Sequence, residues 1–463
     1  MRHPSHRRNI VSESASESTR AMTTATNSKT LKTLETPKAS RFAHAWRALH
    51  HRNFRLYFFG QTISLMGTWM TRLATYWLVY RLTHSALLLG IVGFAGHILT
   101  FVLAPFAGVL IERVDRRRLL FWTQVVAGLQ SFALAALTLT HHLNIYEIIA
   151  LTAIQGIINA FDMPGRQSFL IRMVDDKADL TNAIAINSSM ANGARLFGPA
   201  VAGLVIASLG EGWCFLIDAV SYLPVIASLV AMRLPAHQPP RHETTMVEQL
   251  REGWNYVRTF TPIRTILTLF CIVSLMGCPY SVILPIFAGQ VLHGGAHTLG
   301  WLTAAGGIGA LTSGISLTLR KTPVGLTRMI PIASGTFGVA LILFGLSSTL
   351  WISLVLMLFA GFGMLQGASA SNTVIQTLVP EDMRARVMGY YTMAFVGSAP
   401  FGSLISGTLA HWIGAPRTVM FTGSVCLAAA IWFTTQLPKI RAVIRPIYEQ
   451  MGLIPDRKAQ TAA

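Results

Sequence analysis

Hydrophobic positions in this chain come in long unbroken runs, not in the alternating or one-in-three-to-four patterns of soluble strands and helices. Twelve runs stand out, at about 54–80, 85–111, 118–140, 145–165, 183–208, 213–233, 263–291, 297–319, 325–347, 350–374, 386–411 and 416–437. Each matches the roughly 20 residues of helix needed to cross the hydrocarbon core of a bilayer. Residues 1–50 are rich in Ser, Thr, Arg and Lys and lack the apolar core of a signal peptide. Residues 234–262 begin with Pro235, Pro239 and Pro240 and continue with Val247, Leu250, Trp254 and Val257 at helical spacing, while Glu248, Arg251, Glu252 and Arg258 fall on other faces. That pattern predicts a helix along a membrane surface, the alternative being an ordinary linker helix. The expected organisation is a disordered basic tail (1–50), an N-terminal six-helix bundle (51–233), a linker with an amphipathic helix (234–262), a C-terminal six-helix bundle (263–438) and a C-terminal tail (439–463).

The two sets of six look repeated. Leu89-Gly90 followed by Ala95-Gly96 recurs as Leu299-Gly300 followed by Ala305-Gly306, early in the second helix of each set, and Pro199 has a counterpart in Pro400. The predicted fold is an all-α integral membrane protein with twelve transmembrane helices in two pseudo-symmetric bundles, an architecture used by secondary transporters. Small residues four apart (Ala104/Gly108, Ala194/Gly198, Ala305/Gly309, Ser403/Gly407) are expected where helices of the two halves meet.

Charge adds an orientation. Only 12% of residues are charged, about half the usual share in soluble domains, yet the net charge is +18. With the N-terminus inside, 33 of the 37 Lys and Arg fall on the cytoplasmic side, Arg81 and Arg417 fall outside, and Arg72 and Arg195 lie within helices. The positive-inside rule then predicts both termini on the cytoplasmic side. It also accounts for the basic chain without nucleic acid as a partner. The four cysteines sit in apolar runs, so neither disulfides nor a metal or other cofactor is expected. No phosphate loop, His-Glu-x-x-His pair or Gly-x-Ser-x-Gly elbow occurs, which argues against a membrane enzyme or an ATP-driven pump. With some 25 residues after 438, a sensor or scaffold has no sizeable soluble domain to serve it. A monomer acting on a small-molecule substrate is expected.

Ionisable groups at bilayer depth mark function. The candidates are Asp218, Arg72, Arg195 and Glu147, the last at the outer end of its helix. By helical rise, Arg72 and Asp218 lie at roughly 24 and 22 Å from the inner face, at nearly equal height, so they are expected to be able to pair. Asp218 would then carry a coupling proton tuned by Arg72 or Arg195, the alternative being a static buried ion pair. The second half has no such charges. Ser274, Tyr280, Gln366, Asn372, Tyr390 and Tyr391 suggest an apolar, aromatic wall there.

Five stretches carry a family resemblance. The loop Gly108-Val-Leu110-Ile-Glu112-Arg113-Val-Asp115-Arg116-Arg117-Arg118 resembles the signature loop of the major facilitator superfamily, with Glu112 for the usual Asp and Asp115 where Gly is usual. The resemblance implies a cytoplasmic gate in which Gly108, Glu112, Arg113, Arg116 and Arg117 latch onto the eleventh helix. Asp162 is a candidate acid for Arg113 or Arg116. Helix five, with Gly193, Gly198, Pro199 and Gly203, is similar to the motif that the superfamily associates with exporters and antiporters. Asn159–Phe169, Asn182–Asn187 and Leu250–Arg258 look like the branch that includes the bacterial enterobactin exporter. This implies the major facilitator fold and export of a siderophore-, drug- or metabolite-like molecule by proton antiport. An importer or facilitator of the same fold is the alternative.

Overall fold

The computed structural model describes residues 47–170, 173–174, 177–232, 246–320 and 322–454, and among them every regular element is a helix. The expected tail therefore lies outside the described residues up to 46, as do the Pro-rich start of the linker and the last nine residues. Two units result. Of Met1–Arg47 only Arg47 is described, and Ala48–Ala463 holds every long helix.

The first six rods are α1 (Arg52–Thr83), α2 (Ala86–Arg113), α3 (Arg116–Leu139), α4 (Ile145–Leu170), α5 (Lys177–Leu209) and α6 (Glu211–Ala231). After the linker helix α7 (Met246–Thr259) comes a composite rod. In it α8 (Thr261–Ile272) and α9 (Tyr280–Ile286) are separated and followed by two wide π-turns, Val273–Gly277 and Phe287–Val291. Then follow α10 (Ala296–Thr318), α11 (Leu326–Leu346), α12 (Leu350–Leu378), the pair α13 (Glu381–Val396) and α14 (Ala399–Ile413), and α15 (Ala415–Gln450), which runs past the expected end at 438. Among the described residues, ten stretches are long and apolar enough to cross a membrane. α1 and α10 are equally long but less apolar. α1 carries Arg72 and Arg81, and α10 is rich in Gly and Thr.

Local chemistry sets the breaks between rods. The Ser85 hydroxyl accepts from the Leu88 N–H at 3.3 Å to start α2. The Asp115 carboxylate accepts from the N–H groups of Arg117 and Arg118 at 2.8 and 3.3 Å to start α3. Asn144 and Glu147 form a reciprocal box at the start of α4: Asn144 Oδ1 accepts from the Tyr146 and Glu147 N–H groups, and Glu147 Oε2 accepts from the Asn144 N–H at 2.9 Å. Asp115 thus acts as a helix cap at the place where the loop it resembles carries Gly.

α1 packs on α5 and α6, α3 on α6, and α2 on α4 in the first half; α11 packs on α12 and α15, and α10 on α12, in the second. Two seams join the halves, α2 with α14 and α5 with α10. The repeated Leu-Gly pairs explain both. A β-carbon on Gly90 would meet the Gly407 Cα and Ser403 O, each at 2.8 Å; one on Gly300 would meet the Gly203 Cα at 3.0 Å and Pro199 O at 2.9 Å. The glycines six residues further on serve each half internally, Gly96 against Gly156 and Gly306 against Gly361. Of the small-residue pairs, Ser403/Gly407 meets the other half as expected. Gly198 packs on Trp69 and Met66 of α1, and Gly309 on Leu358 of α12, inside their own halves.

Both seams touch at the end that carries the turns 84–85, 210, 292–295 and 414. Toward the other end, which carries Arg116–Arg118 and Arg320 and is called the basic end below, Gly193, Gly314 and Gly389 face open space. Tyr146, Trp351 and Trp412 stand exposed in a ring at the seam end, the position aromatic side chains take at a membrane–water boundary. At the basic end α7 forms the expected amphipathic helix. It lies on α13, with Glu252 paired to Arg386 and the Trp254 ring 5.7 Å from that of Tyr390.

Candidate functional site

Between the halves lies a cavity of about 490 Å³, bounded by the two seams. Helices α1, α2, α4 and α5 wall one side; the composite rod, α10, α12 and the α13/α14 junction wall the other. α1 contributes Trp69, Arg72 and Tyr76, and α5 contributes Arg195 and Pro199. The Arg72 and Arg195 guanidinium carbons each lie 5.2 Å from the centre of the Trp69 ring, within cation–π range. The far wall carries no charge. It offers Ser274, Cys278, Tyr280, Met364 and Phe395; of the six residues expected to form an aromatic wall only Ser274 and Tyr280 line the cavity, while Gln366 accepts from Ser313 and Ser316 and Tyr390 lies against Trp254. Tyr391 stands off the cavity, donating to Ala368 O at 2.9 Å and stacking on Phe270.

Arg72 and Asp218 do not pair, although they lie at similar depth. Asp218 is 1% exposed and faces α3 and α1. It accepts from the Ser131 hydroxyl at 2.8 Å, and α1 passes it at Gly67, where a β-carbon would come 2.6 Å from Asp218 Oδ1. Among the described residues its carboxylate has no cationic partner. Depth along a rod follows from rise, but the facing direction does not, and the two groups look into different spaces.

Asp162 is also placed differently from expectation. It pairs with Arg166, one turn along α4, and accepts from Gln124 Nε2 at 2.6 Å and from the Thr123 hydroxyl at 3.1 Å. Arg116 donates to Ser168 O at 3.2 Å, and Arg117 donates to the carbonyl oxygens of Leu229 and Val230 at 2.6 and 2.8 Å. Both arginines thus cap chain ends of their own half and do not reach Asp162. Gly108, Glu112 and Arg113 form the last turns of α2, and their side chains lie outside the described residues. In this conformer Arg386, at the start of the eleventh rod, is held by Glu252 of the linker. Glu147 sits in its capping box, outside the cavity.

In helix five, Gly198 gives close approach to α1 and Gly203 to α10, Pro199 lines the cavity, and Gly193 faces open space.

Sequence reasoning missed three groups. His97 lines the cavity, its Nδ1 2.9 Å from Gly93 O; counting histidines with the other intramembrane ionisable residues would have found it. Trp69 is the surface both arginines share, and its place within an apolar run gave no sign of that. Glu211 is 3% exposed and pairs with Arg81 at 3.0 Å.

Residues 43–450 match the profile of a family described as transmembrane secretion effector. The chain is 26% identical over 390 residues to the staphyloferrin A transporter of Staphylococcus aureus, covering 83% of this chain and 97% of that one. It is 26% identical over 388 residues to the multidrug efflux pump Tap of Mycolicibacterium fortuitum, covering 81% and 93%. Among solved structures, a bacterial homologue of the iron transporter ferroportin in an inward-facing state superposes with a TM-score of 0.63 at 16% identity, over 84% of this chain and 98% of that one.

Proposed function

The chain belongs to the transmembrane secretion effector family of the major facilitator superfamily, and from that premise we propose that it exports a small molecule from the cytoplasm by proton antiport with alternating access. It is a multi-pass membrane transporter and not an enzyme. The observation that carries the export reading is that the two glycine seams join the halves at one end of the cavity, while Gly193, Gly314 and Gly389 toward the basic end meet no neighbour. With that end inside, as the positive-inside rule expects, the conformer is poised to load cargo from the cytoplasm. Release outward requires the seams to part and the basic end to close. Pro199 lies at the α5/α10 seam, where a kinked helix suits such a rocking motion.

Asp218 is the proton site in this reading. Its carboxylate has hydroxyl partners and lies against Gly67, two residues before Trp69 and five before Arg72 on the same helix. Loss or gain of its charge alters the fit of α6 against α1, and α1 carries the cavity's ring and one of its cations. Inside-out vesicles loaded with a pH-sensitive dye test both parts. Uptake driven by an inside-acid gradient is expected for export, and Asp218→Asn should abolish cargo-linked proton release. Uptake in right-side-out vesicles instead would establish import, and intact coupling in Asp218→Asn would remove Asp218 from the mechanism. The cargo class that the family relatives suggest is siderophore- or drug-like.

A further inference from the structure

We propose that the cavity is an anion site, and that the cargo is an amphipathic organic anion whose carboxylate or phenolate head sits between Arg72 and Arg195 while its apolar body lies against the far wall. This rests on the export reading for what the site is for, but not for what it binds.

The argument begins with charge balance. Arg72 and Arg195 both line the cavity, and no Asp or Glu does. Neither arginine has a carboxylate partner among the described residues. The acids nearest in the fold are engaged elsewhere, Asp218 by Ser131 and Asp162 by Arg166. Both guanidinium groups lie over one ring, each 5.2 Å from its centre, so the two charges are at most about 10 Å apart in surroundings that screen poorly. The ring face attracts each cation but cannot neutralise either. Two uncompensated like charges at membrane depth are costly to hold and mark a ligand that supplies the missing charge. Guanidinium groups suit that task, because each can bind a carboxylate or a pair of phenolate oxygens through two parallel hydrogen bonds.

Shape completes the class. The opposite wall presents Leu284, Leu299, Met364 and Phe395, so a fully hydrated small anion such as chloride leaves it unfilled. A volume of about 490 Å³ lies in the range of pockets for drug-sized molecules. A small dicarboxylate would fill the cationic end alone; an aromatic or aliphatic body with one acidic head fills both.

A matched dye pair tests this. Carboxyfluorescein and rhodamine 6G share a xanthene body and differ in charge sign. Titrated by fluorescence anisotropy against the full-length chain in lipid nanodiscs, the anion is expected to bind at least tenfold more tightly. Arg72→Gln and Arg195→Gln should each weaken the anion by about tenfold and leave the cation unchanged or tighter, and Arg→Lys should retain part of the preference. The empty Arg72→Gln protein should also melt no lower than the parent, since relief of the repulsion from Arg195 offsets the lost contacts with the Trp69 ring and Tyr76 and no carboxylate is left unpaired; a purely structural arginine would lower the melting temperature. Equal binding of the two dyes, tighter binding of the cation, binding of neither, or anion binding indifferent to both Gln variants would overturn the proposal. Pumping of rhodamine 6G by vesicles would overturn the anion site while leaving export standing. Selective anion binding with no directional flux would do the reverse.

Discussion

A single methyl group on Gly407 puts the seam between α2 and α14 to the test. Its β-carbon would come 2.6 Å from the Gly90 Cα, 2.8 Å from Ala86 O and 3.0 Å from Gly90 N. All three are backbone atoms of α2, so no side chain can rotate aside. Carbon atoms rest at about 3.5–4.0 Å, and the two helices must therefore part by close to an ångström, at an overpacking cost of about 1–3 kcal/mol. The cost falls on the conformer in which this end is shut, and a conformer with the seam open escapes it. A bias of that size moves the ratio of the two conformers by about 5- to 150-fold. Spin labels at Leu82 and His411, both exposed at this end, can read the ratio by pulsed dipolar spectroscopy on a chain whose four cysteines are replaced by alanine. The expected result in Gly407→Ala is a longer distance peak growing at the expense of the short one, with slower cargo loading from the basic side. An unchanged distance distribution together with unchanged loading would refute the claim that glycine contact holds this end shut.

Three further outcomes follow from the contacts described. Asp162→Asn leaves the half-buried Arg166 beside a neutral amide and should cost about 3 kcal/mol in stability, the low end for a broken buried pair, read as a lower melting temperature in detergent; pairing it with Arg166→Gln should recover most of the loss. Arg117→Ala removes two bonds to the last carbonyls of α6 and should cost about 1–3 kcal/mol in the same melt. Glu252→Gln breaks a pair whose carboxylate is 58% exposed, so its effect on melting should stay below about 1 kcal/mol, and a larger shift would mean that α7 carries more of the fold than its contacts suggest.

Much of this molecule is legible in its sequence because bilayer thickness sets the length of each apolar run, and because charge sorts the turns. Leu89-Gly90 and Leu299-Gly300 could be read as a repeat from letters alone, and both glycines lie on seams. The linker helix followed from its spacing, since Val257 and Trp254 share a face. What resisted reading was direction around each rod. Polar residues are spread evenly around α1 and α2 is apolar nearly all round, so no stripe says which way Arg72, His97 or Gly67 looks, and at about 100° per residue a correct depth leaves the facing direction free. That is why Arg72 and Asp218 could be assigned a common height and still face different spaces. Asp162 shows the converse: Arg166, one turn away on the same helix, is a local partner that the i, i+4 spacing alone could have named beside the more distant Arg113 and Arg116. Asp115 departs from the superfamily's loop for a reason visible only in the backbone, as the cap of α3.

The wide turn at Val273–Gly277 has an architectural consequence. It takes up an additional residue within a continuous rod, and so rotates everything after it, including Tyr280, Ser281 and Leu284, relative to what precedes. Excising one residue there would swing those side chains by about 100° while leaving every other residue of the segment unchanged. The inner surface of this half of the chamber is thus set by register, and evolution could re-line it by adding or dropping a single codon.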